Sequence, residues 1–93
     1  MNSKLYVTYD KLADLYGPLM EFPTFAAAIR AIGHQVSQMP SFKREDFQLI
    51  ELGQRAEVGS LNEKTHLHLR VYDDFKVYEM TDILPDVVAP QGE

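Results

Sequence analysis

Residues 4 to 9 alternate, with Leu5, Val7 and Tyr9 on one side and Lys4, Tyr6 and Thr8 on the other. A period of two in β-branched and aromatic residues predicts a half-buried strand whose apolar side is Leu5, Val7 and Tyr9. After a connection around Asp10 to Asp14, Leu15 to Phe22 reads as a second extended segment. Pro18 has no N–H for a central ladder, which puts this segment at a sheet edge or makes the strand begin late. The spacing then changes. Phe25, Ala28, Ile29, Ile32 and Val36 recur at helical intervals and form one apolar stripe. Thr24 is a good N-cap directly after Pro23, and Pro40 stops the helix at or near Gln38. One helix is therefore expected over about Phe25 to Gln38.

Ser41 to Glu45 is a polar connection carrying the adjacent bases Lys43 and Arg44. Phe47 to Leu52 is a strand, with Gly53 marking a bulge or bend and Arg55 to Val58 continuing it. Gly59 to Lys64 has turn chemistry. His66 to Tyr72 alternates again, Leu67, Leu69 and Val71 opposite His66, His68, Arg70 and Tyr72. Asp73 and Asp74 then turn the chain into a last strand, Phe75 to Met80. Past Ile83 the pattern fails. Residues 1–84 are thus expected to form a single domain, and 85–93, with Pro85 and Pro90, an extended or disordered acidic tail. The fold class is α+β: an antiparallel sheet of about four to five strands with one main helix packed on one face. The apolar strand faces and the helix stripe should share one core, and the polar face should stay open to water or a partner.

The order of these pieces resembles a known family. An opening strand Lys4-Leu5-Tyr6-Val7-Thr8-Tyr9-Asp10, a turn Tyr16-Gly17-Pro18-Leu19, a helix with Ala27-Ala28-Ile29-Arg30 and a strand Asp46-Phe47-Gln48-Leu49-Ile50-Glu51-Leu52-Gly53 follow one another. Together they look like the small nonstructural protein of gokushoviruses, the single-stranded-DNA microviruses of bacteria. The resemblance covers roughly residues 3 to 53. It implies a viral nonstructural protein in the host bacterial cytoplasm, bound to single-stranded DNA or to replication and capsid proteins during genome replication and packaging.

Composition narrows the classes. No apolar run approaches the 18 residues of a membrane span, and Met1-Asn2-Ser3-Lys4 passes directly into a strand pattern, so neither an anchor nor a secretory leader is expected. The absence of cysteine excludes disulfides, thiol catalysis and thiolate metal sites. The net charge of -5 is unevenly spread. Residues 1 to 72 carry eight Lys and Arg against eight Asp and Glu, and residues 73 to 93 carry Lys76 against Asp73, Asp74, Glu79, Asp82, Asp86 and Glu93. A neutral body with an acidic end is not the footprint of a strong nucleic-acid binder.

Three patterns carry candidate chemistry. His66-x-His68 on a strand could hold a metal given a third ligand, but nothing in the sequence places one, and two solvent-facing histidines are the plainer reading. The stripe His66, His68, Arg70 and Tyr72, widened by Lys4 and Tyr6 if the first strand is a neighbour, offers cationic and aromatic groups on which a single strand can stack. A polar face that keeps a sheet soluble is its plainer reading. Lys43 and Arg44 could touch phosphate, though such a loop pair is usually just solvated. A Gly-rich phosphate loop, a nucleophile beside a base and a specially spaced carboxylate pair are all missing, so neither an enzyme nor a cofactor is expected. The sequence therefore points first to weak single-stranded-DNA binding by Lys4, Tyr6, His66, His68, Arg70 and Tyr72. The alternative is a protein-interaction adaptor without nucleic acid, most simply a homodimer, because the strands outnumber what one helix covers.

Overall fold

The alternating opening segment forms β1 (Asn2–Asp10), and the chain reverses through residues 11–14 into β2 (Leu15–Tyr16). Asp10 organises that turn, its Oδ1 accepting from the backbone N–H groups of Leu12 and Ala13 at 3.0 and 3.1 Å. Asp14 takes the left-handed conformation at φ 55°, which Asp tolerates better than bulkier residues. Residues 17–19, with Pro18, interrupt the ladder before β3 (Met20–Phe22) resumes pairing with β1, so this stretch is a broken edge strand. The computed structural model describes residues 2–59 and 65–84.

Helix α1 (Phe25–Val36) begins where expected, the Ala27 N–H bonding to Thr24 Oγ1 at 3.0 Å. It ends two residues before Gln38, in a turn in which the Gln38 N–H donates to the Gln35 carbonyl at 3.2 Å. A short 3-10 turn (Arg44–Asp46) leads into β4 (Phe47–Gly59), which pairs with β5 (Thr65–Glu79), and a final turn α2 (Met80–Ile83) follows. The strands form one five-stranded antiparallel sheet in the order β2-β1-β4-β5, with β3 also on β1. The fold is α+β, five strands and one main helix. The segments expected as a loop at 60–64 and a tail at 85–93 lie outside the described residues. Among the described residues no helix is long and apolar enough to cross a membrane.

Two expectations are corrected. Asp73 and Asp74 do not turn the chain into a new strand. Val71 pairs with Gly53 and Lys76 with Glu51, so both halves of β5 lie along β4 and residues 72–75 stand opposite Leu52 alone. The break falls where β4 bulges, and the β1 register shifts at the same place, between Leu5 and Tyr6. Gly53 is required there. A Cβ on it would collide with the Arg70 carbonyl of β5, which is backbone and cannot step aside.

The second correction concerns the faces. Tyr6 was expected on the polar side, yet it is 0% exposed, at the centre of the core with Ala28, Ile32, Leu49, Met80 and Leu84. Its ring lies 6.1 Å from Phe22 and 6.5 Å from Phe25, and Phe25 lies 4.6 Å from Tyr78. Paired residues of an antiparallel sheet share a face. The rows Tyr6–Glu51–Lys76 and Thr8–Leu49–Tyr78 therefore lie under α1, and the rows Val7–Ile50–Val77 and Leu5–Gly53–Val71 lie on the far side. Aromatic area decides the orientation. Met20, Phe22, Phe47, Leu49 and Tyr78 pack against the core together with Tyr6, and each ring buries on the order of 150–250 Å². Leu5 and Val7 cannot match that, so the helix covers the aromatic side.

Gly53→Ala should therefore cost about 3 kcal/mol or more, because a side chain must part β5 from β4. Urea denaturation checks it; a loss under about 1 kcal/mol contradicts the close approach.

Candidate functional site

The residues expected to bind DNA fall into four groups. Tyr6 is core. Lys4 stays at the surface on the helix side of the sheet, its Nζ 4.0 Å from Glu51 Oε2. His66 and His68 stand in β5 opposite Val58 and Ala56, and their side chains lie outside the described residues. Among the candidates whose side chains are described, Arg70 and Tyr72 lie together. The Arg70 guanidinium carbon lies 6.0 Å from the centre of the Tyr72 ring, and Lys76 Nζ, which sequence reasoning missed, lies 5.4 Å from it. The β5 irregularity brings Lys76 in, since it shortens the path from Tyr72 to the next row; the sequence carries no sign of that.

Glu51 anchors this group. It is 1% exposed, and its Oε2 accepts from the Tyr72 hydroxyl at 2.5 Å while Gln54 Nε2 donates to the same hydroxyl at 3.1 Å. Burial and then the bond to Glu51 raise the Tyr72 pKa above its ordinary value. Burial and then the charge of Glu51 raise that of Tyr6 far more. Even so, the Tyr6 hydroxyl and Glu51 Oε1 are both buried without a hydrogen-bond partner. Beside them a surface cleft of about 390 Å³ is lined by Gln54, Arg70, Tyr72, Asp73, Asp74 and Lys76. Its two cations are offset by its two aspartates, so it is no basic groove. Lys43 sits in the connection before the 3-10 turn and Arg44 is committed to structure, its Nη1 donating to the Leu84 carbonyl at 2.7 Å.

The other surface is the sheet face turned away from α1. Leu69, Val71 and Val77 are 62%, 64% and 53% exposed, and the neighbouring Phe75 is 49% exposed. Leu5 and Val7 stand half-buried beside them, and Ile50, buried by these neighbours, has no place in the helix-side core. This is the alternation the sequence displays most clearly, left without a helix over it. Large contiguous apolar patches on soluble proteins mark sites of association. Polar groups frame it. Arg55 binds Glu21, which also accepts from Ser3, at one end; at the other Glu79 accepts from Lys11 Nζ at 2.8 Å and Gln48 Nε2 at 2.5 Å. Both glutamates are held below the usual carboxylate range, Glu21 by Ser3 and then Arg55, Glu79 by Lys11 and then Gln48.

Among the described residues no group of three or more His, Cys, Asp or Glu is placed to hold a metal. No family model, curated protein or solved structure matches the chain.

Two phenylalanine substitutions separate the roles of the buried hydroxyls. Tyr72→Phe strips the buried Glu51 carboxylate of its donor and should cost about 1–3 kcal/mol, whereas Tyr6→Phe removes an unpartnered hydroxyl and should cost less than about 1 kcal/mol or stabilise. Equal losses in thermal or urea unfolding would contradict this assignment. The same hydroxyls set an alkaline limit. Tyr6 and Tyr72 have folded pKa values above the unfolded one. Their contribution is fully present below about pH 10, where unfolded tyrosine titrates, and is lost as pH rises through the folded values. Unfolding free energy should fall above about pH 10, and a flat profile there would contradict it.

Proposed function

We propose that this chain is a non-enzymatic protein-interaction module that works through the open face of its sheet. The observation that carries the reading is the exposed apolar row Leu69, Val71 and Val77, set beside Leu5, Val7 and Ile50 and framed by paired charges. An interface typically has this anatomy, an apolar centre with a polar rim. The resemblance of residues 3 to 53 to gokushovirus nonstructural proteins supplies the setting: the host bacterial cytoplasm, where phage genomes are replicated and packaged and the partners are other phage proteins.

A second reading, weak contact with single-stranded DNA, is favoured by Arg70 and Lys76 beside the Tyr72 ring. Asp73 and Asp74 in the same cleft oppose it. It uses the other side of the sheet, so the two readings can hold together.

Photo-crosslinking inside producing cells should give protein adducts from a reactive group at Val77 and few from one at Arg30, which is exposed on α1. Equal yields at both positions, or none at Val77, would contradict the module reading. A salt-dependent anisotropy titration with a labelled single-stranded oligonucleotide tests the second. Binding should weaken at least tenfold in Arg70→Ala with Lys76→Ala; an unaffected variant, or no binding by the parent at low salt, removes the DNA contact.

A further inference from the structure

We infer that the open sheet face is covered by the same face of a second copy, in a symmetric dimer with two sheets inside and the two α1 helices outside. The inference rests on the module reading above and names its partner. Charge is the first argument. Between the row of Tyr9, Gln48 and Glu79 and that of Ser3, Arg55 and Leu69, the charged residues that the register places on this face are Glu21, Arg55 and Glu79. Arg55 binds Glu21, and Glu79 binds Lys11. Across those rows a charged partner would find no unmatched charge to answer, whereas a second copy meets them without like-charge conflict.

Shape and size agree. Two antiparallel sheets pack face to face about 10 Å apart through interdigitated side chains, which flat rows of Val, Leu and Ile suit. From the row of Tyr9, Gln48 and Glu79 to that of Ser3, Arg55 and Leu69, the face crosses three strands. At ordinary strand spacing and rise it is a plate of roughly 15 by 20 Å, about 300 Å² in plan before the relief of its side chains, the size of a small, reversible interface. Pairing along the outer edge of β5 is the competing arrangement, and the structure opposes it. Residues 72–75 break the strand's regular course midway, and Asp73 and Asp74 sit in that break. Irregularities and charges of this kind protect an edge from strand addition.

The experiment is sedimentation of the full chain at tens of micromolar, with Val71→Lys, Val77→Lys and Leu12→Lys. Leu12 is 79% exposed in the turn before β2 and serves as the control. The parent and Leu12→Lys should be dimers, and each valine substitution should raise the dissociation constant at least tenfold while circular dichroism stays that of the parent. A dimer indifferent to both valine substitutions associates elsewhere, which overturns the inference. A monomeric parent overturns it too, and an apolar dye then shows what survives. Dye binding that Val77→Lys abolishes leaves the face free for a different protein, whereas no dye binding removes the module reading as well. Should either lysine variant unfold, Val77→Thr, which keeps the shape of the side chain, must still raise the dissociation constant.

Discussion

One twelve-residue helix can cover one face of one sheet, and the side it takes fixes the character of the other. Here α1 sits on the side where Tyr6, Phe22, Phe47 and Tyr78 converge, because aromatic rings bury more area than the aliphatic alternation opposite. Leu5, Val7, Val71 and Val77 are consequently left on the far side. A sheet that closes one core and leaves a second apolar surface open is complete as a fold and incomplete as a surface. Hydrophobic burial drives association as it drives folding, so the force that builds the core is also the one on which the proposed contact would rest.

The irregularity in the middle of β4 links the two sides. At Leu52 and Gly53 the registers with β1 and β5 both shift, and the side chains next to the break are reset. Glu51, the last residue before the break, faces the helix side by ordinary alternation, where one oxygen is held by Tyr72 and the other stays bare. Arg70 and Lys76 are drawn to the same ring from either side of the interruption. Bulges gather near functional sites because they re-aim side chains. This one produces a mixed-charge cleft on the helix side and, by breaking the course of β5, guards the edge of the sheet. The flat face is thereby the more open route to a partner.

Much of the fold was legible. Thr24 and Pro40 bracket the helix because capping and the missing proline N–H are local effects, and Pro18 and Gly53 mark the broken edge and the bulge for equally local reasons. The faces of the sheet were not legible. Alternation says that Leu5 and Val7 share a side, but which side a helix covers depends on Phe22, Phe47 and Tyr78, which join Tyr6 only through long-range pairing. Tyr6 therefore reads as polar platform from its neighbours Lys4 and Thr8, and as core from the whole sheet. The course of β5 was hidden in the same way: Asp73-Asp74 has the chemistry of a turn, and only pairing with β4 on either side of the break keeps the two halves in one strand. Of the candidate DNA residues, the adjacency of Arg70 and Tyr72 follows from strand period, while Lys76 arrives through an irregularity that no period encodes.

A dimer joined through the apolar side of this sheet would bring methyl groups of two copies into contact. Its most direct measurement is intermolecular nuclear Overhauser contacts in a sample mixing isotope-labelled and unlabelled chains. Contacts between copies are expected from the methyl groups of Leu69, Val71 and Val77, and none from Ala26 on the exposed side of α1. Intermolecular contacts confined to α1, or a complete absence of them at concentrations where the protein is abundant, would contradict it.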